Sequence, residues 1–532
     1  MRFGELISGL GGCEAFGPQD VEVTGIELDS RAVKGAGPGK GPLFAALKGE
    51  HADGRGFIKD AVRQGAAAVL YEGPRAQGLC AAELLAKDAR GALAMLSARY
   101  FGYPAEKLRL TGVTGTNGKT TTTYLLESIF REAGFSAGVI GTINYRYGGK
   151  TIDAPHTTPE APELQGMLRD MLDSGVTHAA IEVSSHALAQ KRVHGCSFDC
   201  AVFTNLTPEH LDFHGTMDEY FRCKTVLFKG LLKSTGSAVV NIDDGWGTRL
   251  KGDCPSAITY SLEKGADVFP SRYEFIEEGI RAEVDTPWGA VNVETRLTGE
   301  YNLQNILAAV AAAGTLGINP CAIGKGVKAL ARVPGRLEKI ESAEMVGGAH
   351  PAGKRYRVYV DYAHTADALE RALKAIRMTA KARVITVFGC GGNRDRAKRP
   401  SMGAVASIYS DAVIITSDNP RDEDPLDIIR EIEAGVTLKR FSPVQGPEQG
   451  PEQGMTGRGY MAIPDRREAI SKAVSIAGDG DTILVAGKGH ENYQIAKGIK
   501  TRFDDTEEVK AAMAGPHCVW APREGRAAEG SA

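Results

Sequence analysis

A chain of 532 residues, 42% hydrophobic and 24% charged, has the length of about three domains and an ordinary globular composition. Its formal net charge of −3 has no long run of one sign, and no apolar run approaches the ~18 residues that span a bilayer, so neither nucleic acid nor a membrane is expected as a partner. The early Glu5 and Gly11-Gly12 do not read as a signal peptide, and the nine scattered cysteines lack a C-x-x-C pair; a cytoplasmic protein without disulfides or structural zinc is expected.

The recurring pattern is a short apolar strand, a polar loop rich in Gly, Asn, Asp or His, and then a helix. That is the rhythm of α/β proteins with mostly parallel sheets, whose ligands bind beyond the carboxyl ends of the strands. Three domains are read: 1–104, 105–333 and 334–532. The first carries strand-like runs at Val21–Leu28, Leu43–Leu47 and Ala66–Tyr71, with Asp29-Ser30-Arg31 and the polar segment 50–55 after two of them. Within it, the glycine-rich stretch 35–41 reads as an inserted flexible loop.

The second domain opens with the strand Leu108–Val113, the turn Gly115-Thr116-Asn117-Gly118 and then Lys119-Thr120-Thr121. A helix follows, with the stripe Leu126, Ile129, Phe130 and Ala133, and stops at Gly134. Unpaired N–H groups and the helix dipole make such a junction an anion site. Lys119 adds a charge, and the Thr120 hydroxyl suits a metal ion. The usual pattern G-x-x-x-x-G-K-[ST] requires glycine where this chain has Val113, and the bland alternative is a connecting turn. Lys-Thr at the helix start after a buried strand favours phosphate.

Further along, the strand Ala179–Val183 contains Glu182, a carboxylate that is costly to bury without a partner such as magnesium. The run from Asn205 to His214, with Glu209, His210 and Asp212, reads equally as a metal or catalytic loop and as a capped, solvated loop. On pattern alone Lys224, in an apolar helical segment, snorkels to the surface. Asn302 and Asn305 share a helix face, and capping is the plain reading.

The third domain has strands at Val358–Val360, Val384–Phe388, Ala412–Thr416 and Thr482–Ala486. They run into Asp361-Tyr362-Ala363-His364, the loop 389–396 with Arg394, Ser417-Asp418-Asn419-Pro420-Arg421, and Gly487-Lys488-Gly489-His490-Glu491. Any one reads as a turn. Four at one sheet edge, with Arg394, Arg421 and Lys488 converging, suit an acidic substrate with an amine: arginine grips carboxylate, and Asp418 and Glu491 receive the ammonium. The Gly-Pro-Glu-Gln repeat at 446–454 and the tail after 522 carry no apolar anchor and are expected to be loose.

The segments 114–121, 205–214, 299–305, Pro334-Gly335-Arg336 and 361–364 together resemble the Mur ligases of peptidoglycan synthesis, over nearly the whole chain. Leu28-Asp29-Ser30-Arg31, His156-Thr157-Thr158-Pro159, Ser184-Ser185-His186 and above all Asp418-Asn419-Pro420-Arg421 resemble the members that add meso-diaminopimelate. The resemblance implies a UDP-binding domain, a central ATPase and a Rossmann-like domain. It places ATP on Gly115 to Thr121, Asn302, Asn305, Arg336, Asp361 and His364, and magnesium on Thr120, Glu182, His210 and Lys224, the last as a carbamate; that overturns the snorkelling reading. Lys119, Glu182, His210 and Lys224 are the implied catalytic residues. Leu28, Ser30, His156, Thr157, Thr158, Ser184, Gln190 and Arg192 would hold a UDP-N-acetylmuramoyl dipeptide. Arg394, Asp418, Asn419, Pro420, Arg421, Gly487 and Glu491 would hold diaminopimelate. The stretch 346–353 and the 446–454 repeat look longer than is typical of the family, and Ala366 stands where proline is common.

The implied reaction is phosphorylation of the D-glutamate carboxylate by ATP, followed by attack of an amine on the acyl phosphate, in a monomeric enzyme. Three rivals stand beside it: a lysine-adding relative, a folylpolyglutamate synthase-like ligase, and an ATP-binding scaffold without turnover. Arg421 opposes the first. The UDP-side segments oppose the second, and the intact Lys119, Thr120, Glu182, His210 and Lys224 oppose the third.

Overall fold

The computed structural model describes residues 1–49, 52–341, 354–440 and 457–514. Glu50 and His51, the stretch 346–353, the 446–454 repeat and the tail after 522 lie outside the described residues. The chain forms two compact units. One is Met1–Tyr273 with Ala282–Glu294 and Gln304–Leu330; the other is Glu274–Arg281 with Thr295–Leu303 and Ala331–Ala532.

Two mostly parallel sheets lie in the first unit. A five-stranded sheet runs in the order Cys13–Phe16, Ala82–Ala86, Ala68–Tyr71, Lys40–Ala46 and Glu22–Glu27, parallel except for its first strand. The glycine-rich stretch 35–41 is a hydrogen-bonded turn and not the loose loop expected. Ala36 N–H donates to Lys40 O, Lys40 N–H donates to Gly37 O, and Gly37 and Gly39 take positive φ. It delivers the chain into Lys40–Ala46.

The second sheet has eight strands: Ile258–Tyr260, Leu232–Asn241, Phe198–Phe203, Arg109–Thr114, His178–Glu182, Ala137–Ile140, Asn144–Tyr147 and Lys150–Asp153. The first six are parallel, and a hairpin edge closes the sheet. Its central strands are apolar on both faces because both are covered: Leu110, Ile181, Val202 and Phe203 are all buried. Val113, which broke the phosphate-loop pattern, is fully buried in the strand Arg109–Thr114 and pairs with Glu182 and Val202. Gly112 beside it has a packing reason, since a Cβ there would press on the Phe198 ring at 2.9 Å.

The second unit is built on seven strands in the order Glu338–Lys339, Arg357–Asp361, Thr482–Ala486, Val384–Phe388, Ala412–Ile415, Gly459–Ala462 and Lys439–Arg440, parallel after the first. Parallel strands release their carboxyl ends on one side, so the four loops singled out in sequence leave the same edge. Among the described residues, no helix is long and apolar enough to cross a membrane.

Candidate functional site

In the first unit the strand Arg109–Thr114 turns through Gly115 and Gly118 into the helix Lys119–Glu132. Both glycines are required. Gly115 has φ +142 and Gly118 φ +89, and a Cβ at either would collide, with Thr204 Oγ1 and Asn305 Oδ1 respectively. The loop is braced from the next strand end: Thr116 N–H donates to Asn205 O and Asn117 N–H to Asn205 Oδ1, both at 2.9 Å, while Thr204 Oγ1 donates to Asn117 O at 2.6 Å. Lys119 Nζ curls back on the loop carbonyls of Gly115 and Thr116, at 2.9 and 2.8 Å. Thr121 is buried one residue beyond Thr120 on the helix.

Glu182 ends its strand 1% exposed. It accepts from Thr120 Oγ1 at 3.0 Å, Thr142 Oγ1 at 2.8 Å and Thr142 N–H at 2.9 Å. A carboxylate and a hydroxyl at a phosphate loop are hard oxygen donors of the kind magnesium takes. Among the described residues no group of three His, Cys, Asp or Glu is placed to hold a metal ion.

Lys224, on the helix Met217–Gly230, is 1% exposed. It does not snorkel: the helix turns this face to the core, and Nζ donates to Gly115 O at 3.0 Å, the carbonyl that Lys119 also uses. Burial, with Lys119 nearby, pushes its amine well below the usual lysine range. His210 takes left-handed backbone (φ +56) just before the short helix Leu211–His214, so no helix starts at Thr-Pro-Glu. Burial lowers its imidazole to about 4, and its ring meets His186 edge-on at 4.7 Å.

Around the end of the Glu182 strand the dipeptide candidates gather. Thr158 Oγ1 donates to Glu182 O at 2.7 Å, and Ser184 N–H donates to Thr158 Oγ1 at 3.2 Å. Thr157 Oγ1 lies 3.1 Å from Thr142 Oγ1. Arg192 donates to Thr158 O at 2.9 Å and to Gln190 Oε1 at 2.7 Å, and pairs with Glu160 at 2.8 Å. His156 offers its carbonyl to the Tyr145 hydroxyl at 2.6 Å. Leu28 and Ser30 stand elsewhere, just after the strand Glu22–Glu27 of the five-stranded sheet.

Asn302 and Asn305 lie inside the helix Glu300–Thr315 and do not cap it. Asn302 Nδ2 donates to Thr298 O at 2.8 Å, and Asn305 Oδ1 is the atom that a side chain at Gly118 would strike.

In the second unit Asp361 accepts from Leu337 N–H at 2.5 Å and Ala363 N–H at 2.8 Å. Burial raises its carboxyl, and Arg336 opposes that shift. Arg336 lies over the Tyr362 ring at 4.5 Å, and His364 Nδ1 is 2.8 Å from Tyr362 O. Arg421 has φ +51, and its NH1 donates to Gly392 O at 2.7 Å. Arg394 is exposed on the neighbouring loop, and Pro420 is buried, its carbonyl against Gly392. Gly487, φ +118, leaves room for Asp418. Asn419 Nδ2 donates to Glu491 Oε2 at 2.9 Å. Lys488 departs from expectation: it does not converge with the arginines on a substrate, because it is fully buried and bound to Asp418, Asn419 and Glu491.

Sequence reasoning missed Thr142, Thr204 and Arg466. Thr142 sits just beyond the strand Ala137–Ile140, a four-residue run too short to stand out. Arg466 begins a helix within the run of four charges Asp465 to Glu468, which reads as a solvated face. It is instead fully buried, pairs with Asp505 at 2.7 Å, and donates to Ser417 O and Ala486 O, the carbonyls just before Asp418 and Gly487.

The sheets and the loop at Gly115–Thr121 define an α/β protein with phosphate-loop geometry. Its segments match the Mur ligase family catalytic domain over 22–100, the Mur ligase middle domain over 113–313 and the Mur ligase glutamate ligase domain over 335–489. The chain is 45% identical over 519 residues to the UDP-N-acetylmuramoyl-L-alanyl-D-glutamate--2,6-diaminopimelate ligase of Geobacter metallireducens, covering 96% of this chain and 98% of that one. It is 42% identical over 514 residues to the protein of the same name from Gloeobacter violaceus, covering 96% and 98%. A solved structure of a ligase of that name is similar with a TM-score of 0.66 at 33% identity, covering 96% and 98%. MurF of Thermotoga maritima, solved with ADP, shares the fold with a TM-score of 0.59 at 19% identity, covering 92% of this chain and 97% of that one. The chain belongs to the Mur ligase family.

Proposed function

We propose that this chain is an ATP-dependent, ADP-forming ligase of peptidoglycan synthesis, joining meso-diaminopimelate to the D-glutamate carboxylate of UDP-N-acetylmuramoyl-L-alanyl-D-glutamate. The relatives that carry that name at 42–45% identity over nearly the full length support it. The choice of amino acid is carried by one observation: Arg421 stands at the turn that also carries Asp418 and Asn419, beside Glu491. Diaminopimelate has a second carboxylate for a guanidinium to grip; lysine has none.

The loop N–H groups and Lys119 hold the ATP phosphates. Magnesium on Thr120, Glu182, His210 and a carbamylated Lys224 would supply positive charge for the phosphoryl oxygens. The donors fit on chemistry: Thr120 and Glu182 offer oxygen, and burial keeps His210 neutral. Lys224 fits as a carbamate. Burial favours the neutral, nucleophilic amine; its nitrogen bonds to the carbon of CO2, one proton leaves, and a neutral amine becomes an oxygen-donor anion. Thr157, Thr158, Ser184, Gln190 and Arg192, with Leu28, Ser30 and His156, orient the UDP-linked dipeptide. Asn302, Asn305, Arg336, Asp361 and His364 take the rest of the nucleotide; Arg394, Pro420 and Gly487 complete the amino-acid pocket. The D-glutamate carboxylate attacks the γ-phosphorus, ADP leaves, and the amine displaces phosphate from the acyl phosphate. The domain boundaries 1–104, 105–333 and 334–532 are proposed with these roles.

Phosphate release with the UDP-linked dipeptide, offering diaminopimelate and lysine separately, tests the reading. Turnover with diaminopimelate is expected. Turnover with lysine alone would overturn the choice of amino acid, and none with either would favour a scaffold.

A further inference from the structure

Lys488 carries a further inference, which rests on the amino-acid pocket proposed above. It follows the strand Thr482–Ala486, is fully buried, and has three acceptors for its three ammonium protons: Asp418 Oδ1 at 3.4 Å, Asn419 Oδ1 at 3.2 Å and Glu491 Oε2 at 3.4 Å. The group is cross-linked further. Asn419 Nδ2 donates to the same Glu491 Oε2 at 2.9 Å, and Asn419 Oδ1 also accepts the Ile495 N–H at 3.0 Å. All four polar positions of this cluster therefore sit in one network joining two strand-end loops and the strand Tyr493–Ala496.

The lysine takes one oxygen of each carboxylate and leaves the other. Asp418 Oδ2 and Glu491 Oε1 receive no hydrogen bond from any described residue. With two carboxylates and one ammonium, the cluster has a formal charge of −1, which one further ammonium neutralises. Two carboxylates that share one neighbour, with no cation between them, would repel and swing apart. A buried cation that satisfies one face of each acid offsets their repulsion and fixes where their open oxygens point.

We propose that Lys488 is a positioning residue for the amino-acid substrate: it holds Asp418, Asn419 and Glu491 as one rigid, singly negative receptor for a substrate ammonium. It touches no substrate itself. Its loss acts on capture of the amino acid and leaves nucleotide handling alone.

The test is steady-state phosphate release by wild type and by Lys488→Met, which keeps the length of the side chain and removes its charge. The expected result is a KM for diaminopimelate raised at least tenfold, KM values for ATP and the UDP-linked dipeptide within twofold of wild type, and kcat at saturating diaminopimelate within about threefold. If Lys488→Met does not fold, Lys488→Gln, which keeps hydrogen-bond donors and removes the charge, is measured in its place; a melting temperature near wild type with the same selective rise in KM is then expected. An unchanged KM for diaminopimelate in either variant would overturn the proposal, and so would parallel losses for all three substrates, the mark of a purely structural role. The wild type separates this from the functional reading. If it turns over diaminopimelate and the variant does so equally well, only the role of Lys488 falls; if the wild type turns over no amino acid, both fall.

Discussion

Lys224 sits in Tyr220-Phe221-Arg222-Cys223-Lys224, where charge alternates with bulk and any lysine would be expected to reach water. The helix places Tyr220, Phe221 and Lys224 on its buried side and leaves Arg222 exposed beside Glu219. The cost of burying an ammonium is what pushes this amine well below the usual lysine range. A 13C-carbamate resonance is expected when the protein is equilibrated with labelled bicarbonate at pH 8, absent in Lys224→Arg; no such resonance in wild type would contradict the carbamate. Arg421 supports a second prediction at this scale. Its φ of +51 is tolerated by glycine, so Arg421→Gly removes the guanidinium without straining the turn. A charged hydrogen bond is worth about 1.5–3 kcal/mol, so KM for diaminopimelate should rise roughly 10- to 100-fold with KM for ATP unchanged; equal values for diaminopimelate would refute the assignment.

The strands of the second unit show what the elements contribute. Val384–Phe388 and Thr482–Ala486 have the bounds read from sequence, because each is a five-residue apolar run closed by glycine. The loops after them were legible too, since Gly, Asn and Asp at strand ends stand out against the apolar background. Their internal wiring was not legible. Lys488 looked like one more cation for an acidic substrate and is a tie between loops; Arg466 drew no notice in the sequence and is buried beneath two of them. Which way a long charged side chain turns depends on acceptors some 40–70 residues away in sequence. Arg466→Met leaves Asp505 buried without its cation, and breaking such a pair costs about 3–5 kcal/mol. A lowered denaturation midpoint is expected in urea, with a raised KM for diaminopimelate among the survivors. An unchanged midpoint would show that the pair does not hold the loops.

Over the whole molecule, buried histidines set an acid limit. Burial lowers His178 and His194 below the usual value of 6.5, and His490 to about 3. Above pH 6.5 both folded and unfolded chains hold these rings neutral, and they add no pH dependence. As pH falls below 6.5 the unfolded chain binds protons that the folded one refuses, so stability is lost progressively from 6.5 toward the folded values, down to about 3 for His490. The melting temperature should fall between pH 7 and pH 5; a flat profile would mean that these rings protonate in place.

The sequence by itself determined the α/β class, the strand-end loops and the phosphate loop, because apolar periodicity and turn chemistry are local properties of a chain. It also held the Asp-Asn-Pro-Arg turn that argues for diaminopimelate. The tertiary structure decided what those residues do to one another. It made Val113 a core residue and left the phosphate turn to Gly115 and Gly118. It buried Lys224 against Gly115, moved Asn302 from a cap into the helix, and spent Lys488 on holding two acids. Each of those outcomes depends on desolvation and on partners distant in sequence, neither of which a local pattern carries.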